Sequence, residues 1–180
     1  MTLLKIARLG HPVLLTPALP VEDPQSAAIQ TLIDDMIETM RDAEGIGLAA
    51  PQVHVGRRVI VAMEIADRSE KAQARVRVLI NPELTPLDDQ MEHGFEGCLS
   101  IPALRGVVPR HRRVAYRGLD RHGREISGEA EGLFARVLQH EVDHLDGVIF
   151  PMRMSDLRHL AFDSELRHLT AWIAAAGDQG

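Results

Sequence analysis

His140-Glu141-Val142-Asp143-His144 holds the residues best spaced to do chemistry. Residues four apart on a helix have Cβ atoms about 5–6 Å apart, so His140 and His144 can grip one metal ion. Zinc hydrolases use the Glu that follows the first His as a general base toward water. With about 100° per residue and His140 at zero, His144 falls near 40° and Glu141 near 100°. Leu133 and Val137 fall near 20° and 60° on the same wheel, beside the ligands. Phe134, Leu138, Val142 and Leu145 form the adjoining apolar face. Asp143 lies on the far flank of His140, badly placed to be the base, and takes a supporting or surface role.

Two imidazoles do not complete a catalytic centre, which holds three protein ligands and keeps one position open for water. Cys98 is a candidate for the third. It is the only cysteine, so no intrachain disulfide can form. A lone cysteine is usually an inert small hydrophobe in a core. In Glu96-Gly97-Cys98-Leu99-Ser100, however, glycines at 94 and 97 permit a tight path, and a soft thiolate could close the ligand set. Gly45-Ile46-Gly47-Leu48-Ala49-Ala50-Pro51-Gln52 also has two readings. It can be a helix end followed by a turn. It can equally be backbone passing close to a substrate, with Gln52 as an amide donor. It is not the dinucleotide fingerprint, because it follows a helix and lacks the third glycine.

These residues need elements to hold them. Ile29, Leu32, Ile33, Met36, Ile37 and Met40 follow helical periodicity and predict a helix over 26–43. Residues 58–63 and 75–80, rich in Val and Ile, predict strands, the second ended by Asn81-Pro82. Further strands are expected at 107–108 and 114–119, with a turn at 120–123 and a returning strand at 124–129. The motif helix starts at Leu133, and Gly147 suits a left-handed cap beyond its end. Ser155 could cap a last helix from Asp156 to about Ala176, with Leu157, Leu160, Ala161, Leu166, Leu169, Trp172 and Ile173 inward. Strands followed by helices packed on them, without strict alternation, imply an α+β fold.

Length bounds the chain to a single domain, residues 1–180, large enough for a core. Net charge is −6, from 20 Lys+Arg against 26 Asp+Glu, which argues against a broad nucleic-acid-binding surface. No apolar run is long enough to span a membrane, and Met1–Ile6 does not read as a signal peptide. A cytoplasmic protein is expected.

The three segments together, in this order, resemble bacterial peptide deformylases, which carry Gly-x-Gly-x-Ala-Ala-x-Gln, Glu-Gly-Cys-x-Ser and His-Glu-x-x-His. The matching stretches are Gly45–Gln52, Glu96–Ser100 and His140–His144, and the likeness runs from about Leu9 to Met154. The resemblance implies antiparallel or mixed sheets packed around a central metal-binding helix, with an N-terminal and a C-terminal helix. It implies one divalent ion on Cys98, His140 and His144, usually Fe²⁺ and replaceable by Zn²⁺, Ni²⁺ or Co²⁺, with water in the fourth position. Glu141 would move the proton. Gln52 and the Leu99 backbone N–H would stabilise the developing oxyanion. Backbone at Ile46 and Gly47 would pair with the substrate chain, and Leu133 and Val137 would line the methionine pocket. The substrate would be the N-formyl-methionyl end of a nascent polypeptide, in transient proximity to the ribosome. Glu96 would hold an arginine, Arg105 or Arg110.

Two features depart from familiar members. Arg136, near −40° on the helical wheel, replaces what is often an apolar residue and leaves the width and polarity of the pocket mouth open. The final helix is not basic, so a ribosome-docking helix is not evident. A rival reading is a zinc peptidase cutting internal peptide bonds, which requires a His or Glu as third ligand instead of Cys98.

Overall fold

A computed structural model describes residues 2–65 and 74–177. Helix α1 (Ala27–Asp42) precedes the short strand β1 (Gly47–Ala49), a 3₁₀ turn (Ala50–Val53) and strands β2 (Val59–Glu64) and β3 (Arg75–Pro86). Then come β4 (Met91–Cys98), β5 (Ile101–His111), β6 (Arg113–Leu119), β7 (Glu125–Glu131) and helix α2 (Gly132–Leu145). Strand β8 (Leu160–Phe162) and helix α3 (Leu166–Gly177) follow. The strands form two antiparallel sheets, one ordered β1-β2-β3-β6-β7 and the other β4-β5-β8. The α+β expectation holds, with α2 at the centre.

Strand alternation decides how the layers stack. Successive side chains of β2 point to opposite faces. Val59, Val61 and Met63 pack with Ile33, Met36 and Met40 of α1. Ile60 and Ala62 pack with Phe134, Leu138 and Leu145 of α2. Strand β2 is therefore buried on both faces, which explains its unbroken apolar run. A third apolar cluster, including Leu14, Ile101, Val108 and Phe150, lies under the smaller sheet. Helix α2 is thus held on its apolar side by the five-stranded sheet and on its polar side by β4 and β5.

Three expected boundaries move. Asn81-Pro82 does not end β3. Asn81 adopts φ 52° at a register shift between Ile80 and Glu83, and its side-chain amide bonds both the N–H and the C=O of Val21. Asparagine tolerates the left-handed region, so a turn signal is used as a β-bulge. The strand expected at 107–108 is the middle of the longer β5. The last helix starts at Leu166, not Asp156. The Asp156 carboxylate accepts from the Arg158 N–H and supports only one 3₁₀ turn, after which β8 pairs along the edge of β5. Leu157 and Trp172, expected inward, are 66% and 46% exposed. Gly147 does adopt φ 73° beyond α2.

Leu138 is fully buried between α2 and the larger sheet. Leu138→Ala should lower unfolding free energy by about 2–5 kcal/mol, measurable by denaturant titration; a loss under 1 kcal/mol would show that α2 is not anchored there.

Candidate metal centre

Strand β4 ends at Cys98, and β5 begins three residues on at Ile101. Gly97 pairs with Arg105 but Cys98 pairs with Ile101, leaving Pro102, Ala103 and Leu104 unmatched on β5. This bulge, with Ala103 at φ 63°, bends the hairpin tip. The tip brings Cys98 to α2, where the Cys98 Sγ lies 3.2 Å from His144 Nε2. Ligand atoms of Cys98, His140 and His144 all lie within 4.8 Å of one another, the one such group among the described residues. The two imidazoles meet edge to face with centroids 5.0 Å apart. A thiolate and two imidazoles suit borderline and soft divalent ions, and three ligands leave a coordination position open.

The two rings are oriented differently. His140 Nδ1 lies 2.9 Å from Glu96 Oε2, the carboxylate–histidine arrangement that fixes a ligand's tautomer and raises its basicity. His144 Nδ1 is buried without a hydrogen-bond partner among the described residues, so packing and the Nε2 contact with Cys98 orient that ring. Burial would raise the Cys98 thiol's pKa, yet the charge of His144 and hydrogen bonds with His140 and His144 hold it well below its usual value. His140 moves the other way. Burial opposes its charge, but hydrogen bonds to Cys98 and Glu96 keep its pKa well above that of free imidazole. Metal binding needs a thiolate and neutral imidazoles, so its affinity falls in acid.

Glu96 anchors a buried ionic cluster. Arg110 donates to it twice, from Nε to Oε1 (2.9 Å) and from Nη2 to Oε2 (3.0 Å). Arg110 Nη1 donates to Asp143 Oδ2 at 2.5 Å, and Arg153 donates to the same carboxylate. Asp143 is therefore neither base nor surface group, but a support tying α2 to β5. Of the two arginines expected for Glu96, Arg110 is the partner. Arg105 instead pairs with Asp163 at 2.8 Å, on the surface. Burial opposes ionisation of Glu96, but His140 and Arg110 pull its pKa down to about 2.

The general-base candidate has no such partner. Glu141 is 4% exposed, and its Oε2 has no hydrogen bond among the described residues. Burial raises its pKa to about 7 even though His140 and His144 pull it down. Gly47 explains how β1 comes so close. A Cβ at that position would lie 2.3 Å from Glu141 Oε1. Gln52, buried in the 3₁₀ turn, donates from Nε2 to Ser100 Oγ (3.2 Å) and to Cys98 Sγ (3.4 Å), while its Oε1 accepts from the Ala49 N–H. The sequence motif contains Ser100 but gave it no role; burial shows it orients the Gln52 amide. Leu99 sits in the tight turn between β4 and β5, and its carbonyl accepts from Arg8.

A cavity of about 490 Å³ opens over these groups. Ile46, Gly47, Gln52, Cys98, Leu99, His140 and Glu141 line it, as do Leu133 and Val137. His144 lies behind, 1% exposed. Every residue singled out from sequence therefore meets at one place.

A candidate three-ligand metal site under a cleft, with a buried carboxylate beside it, is the arrangement of a metal-dependent hydrolase, here on an α+β scaffold. A family model described as polypeptide deformylase matches residues 3–159, and the chain belongs to that family. It is 48% identical over 163 residues to peptide deformylase 1 of Bordetella pertussis, covering 89% of this chain and 93% of the relative. Identity to the peptide deformylase of Chromohalobacter salexigens is 52% over 145 residues, covering 81% and 82%. Among solved structures, the actinonin-bound class I type b peptide deformylase of Acinetobacter baumannii superposes with a TM-score of 0.76 at 36% identity. That match covers 86% of this chain and all of the other. The Thermotoga maritima peptide deformylase matches with a TM-score of 0.79 at 35% identity, covering 87% and 100%.

Cys98→Ala should abolish stoichiometric metal binding by elemental analysis; a variant with normal metal content would remove the thiolate from the ligand set. Glu96→Ala strands two buried arginines and unpins His140. It should cost about 3–5 kcal/mol of stability and about 10–100-fold in metal affinity, read by denaturation and competitive chelation.

Proposed function

We propose that this chain removes the formyl group from N-formyl-methionine at the start of newly made polypeptides, releasing formate and a free α-amine. The observation that carries the reading is the meeting of Cys98, His140 and His144 beside Glu141, whose carboxylate has no competing hydrogen bond at Oε2. One divalent ion held by these three residues would supply Lewis acidity, making water more acidic and the formyl carbonyl more electrophilic. The donor set accepts Fe²⁺, Zn²⁺, Ni²⁺ or Co²⁺ alike; Fe²⁺ as the physiological ion is what the resemblance to bacterial peptide deformylases implies.

Glu141 takes a proton from the attacking water. As the C–N bond breaks, it returns that proton to the leaving amine nitrogen, so the base is regenerated. A carboxyl raised to about 7 by burial exchanges protons near neutrality, and a nearby cation only lowers that value. In this reading the Gln52 Nε2–H and the Leu99 backbone N–H, both at the cavity wall, stabilise the negative charge that builds on the formyl oxygen. Each such donor is worth about 3 kcal/mol in the transition state. Backbone at Ile46 and Gly47 pairs with the extended substrate, as an added strand would, and Leu133 and Val137 receive the methionine side chain.

The proposed substrate is the nascent chain itself, which brings the enzyme transiently near the ribosome, in the cytoplasm. No described helix is long and apolar enough to cross a membrane. Cleavage of internal peptide bonds is not favoured, because it needs a His or Glu in the position Cys98 occupies.

Glu141→Gln should keep its metal and lose about 10²–10⁴ in turnover; full activity would remove the general-base role. In the unaltered enzyme, formate release should fall on acidification with an apparent pKa no higher than about 7. A formylated methionyl peptide should react roughly 10–200-fold faster than its acetylated twin, since the extra methyl must fit beside Gly47 and Glu141. Equal rates would exclude deformylation as the specific activity.

A further inference from the structure

Residues 7–9 belong to none of the three motifs, yet they touch both groups proposed to meet the developing oxyanion. The Ala7 N–H donates to the Gln52 carbonyl (2.7 Å), and the Leu9 N–H donates to the Ser100 carbonyl (2.8 Å). Between them, Arg8 Nη1 donates to the Leu99 carbonyl (2.5 Å). Three consecutive residues thus hold the backbone of the amide donor and the turn that carries the N–H donor. Ala7 is buried, whereas Arg8 is exposed and lines the cavity wall together with Leu99.

The form of that turn decides where its groups point. Cys98 pairs with Ile101, so Leu99 and Ser100 are the two central residues, and the Leu99 carbonyl belongs to the peptide between them. This central peptide is the one that rotates when a type I turn becomes type II, which needs positive φ at the second central residue. Neither Leu99 nor Ser100 has positive φ. Neither is Gly or Pro, so nothing within the turn restricts it to one form. Arg8 grips that peptide from outside. Ser100 is fully buried, and its Oγ accepts from Gln52 Nε2 (3.2 Å). A turn that changes form therefore disturbs the Leu99 backbone and the Gln52 amide together.

We propose that Arg8 is a positioning residue for the reaction: its hydrogen bond locks the Leu99–Ser100 peptide and so presets the Leu99 N–H and the Gln52 amide for the oxyanion. The inference rests on the deformylase reading. A donor fixed before substrate arrives needs no reorientation as charge develops, which is why preorganised donors accelerate the reaction. Arg8 does this without touching the reacting atoms or the three candidate metal ligands.

The test compares Arg8→Met and Arg8→Lys with the unaltered metal-loaded enzyme, using a formyl-methionyl peptide and formate release. Arg8→Met keeps an unbranched stem at the cavity wall but has no N–H to donate. Its kcat should fall roughly 10–100-fold, the scale of a group misplaced by up to about 1 Å, with KM and metal content unchanged. A lysine ammonium can still donate to one carbonyl, so Arg8→Lys should recover most of kcat. Without substrate, hydrogen exchange at the Ile101 amide, in the closing pair of the turn, should quicken in Arg8→Met and not in Arg8→Lys. Exchange along α2 should stay as it was. A raised KM with unchanged kcat would make Arg8 a substrate contact, and loss of metal would make it a brace for the fold. Either result overturns the proposal, as do unchanged kinetics or an Arg8→Lys variant as impaired as Arg8→Met. If Arg8→Met does not fold, Arg8→Ala with added guanidinium ion replaces it; the ion should restore kcat, and failure to do so overturns the proposal as well. No formate release from the unaltered enzyme would instead bring down the deformylase reading.

Discussion

The structure depends on one buried carboxylate. Glu96 is 5% exposed and collects hydrogen bonds from Arg110, Arg136 and His140. An isolated carboxylate in that position would be costly to desolvate and would become protonated. Surrounded by three cationic or donor groups, it remains ionised. The partners come from different elements: Arg110 from β5, Arg136 and His140 from α2. The same arginine that grips Glu96 also grips Asp143, the residue just before His144. Helix α2 is therefore pinned to the smaller sheet at three positions, 136, 140 and 143, along one face. His140 lies within that pinned stretch, His144 directly follows its last position, and Cys98 is two residues beyond Glu96 on the same strand. One ionic cluster orients the His140 ring and fixes the helix and strand that carry His144 and Cys98.

The opposite treatment is given to Glu141. It has the same residue type and similar burial, but no arginine reaches it. Its pKa is raised where that of Glu96 is lowered. Two carboxylates a few residues from the same centre are thus driven apart by their neighbours: one a permanent anion that holds structure, the other able to exchange a proton. The close approach of Gly47 is part of this arrangement, since any side chain there would occupy the carboxylate's space. The glycine-rich segment, ambiguous between a helix end and a substrate-facing loop, holds an edge strand, Gly47–Ala49, whose backbone passes over Glu141.

The legible parts of the sequence were those with strong periodicity or a motif. Helix α1, the apolar face of α2, and strands β2 and β6 follow from side-chain spacing. The site residues followed from three short motifs, and all of them converge. Strand β4 was not legible, because Met91-Glu92-His93-Gly94-Phe95-Glu96-Gly97-Cys98 has charges and glycines where alternating apolar residues would be expected. Each irregularity has a tertiary cause: Gly94 makes room for Arg136, Gly97 for Arg105, and Glu96 faces the ionic cluster. The last helix was placed too early because Leu160-Ala161-Phe162 suits a helix and an edge strand equally, and the open edge of β5 decided between them. Arg110 could not be separated from Arg105 by spacing, since both lie on β5. Burial separates them, with Arg105 left on the surface.

The metal centre lies on the seam between two layers. His140 and His144 belong to a helix whose apolar face is fixed to the five-stranded sheet, whereas Cys98 belongs to a hairpin of the other sheet. A cation bound by all three would join the layers at a point where the Glu96 cluster already ties α2 to the smaller sheet. Ligands 42 residues apart along the chain from Cys98 to His140 are not gathered in an unfolded chain, so the free energy of metal binding adds to the free energy of folding. Protons oppose it twice. They compete for Cys98 and His140, and at lower pH they would neutralise Glu96, whose charge holds His140 in place. The low value of about 2 at Glu96 puts that second loss far below neutrality. Near neutrality the ionic scaffold therefore stays charged, and protons oppose metal binding only at the candidate ligands themselves.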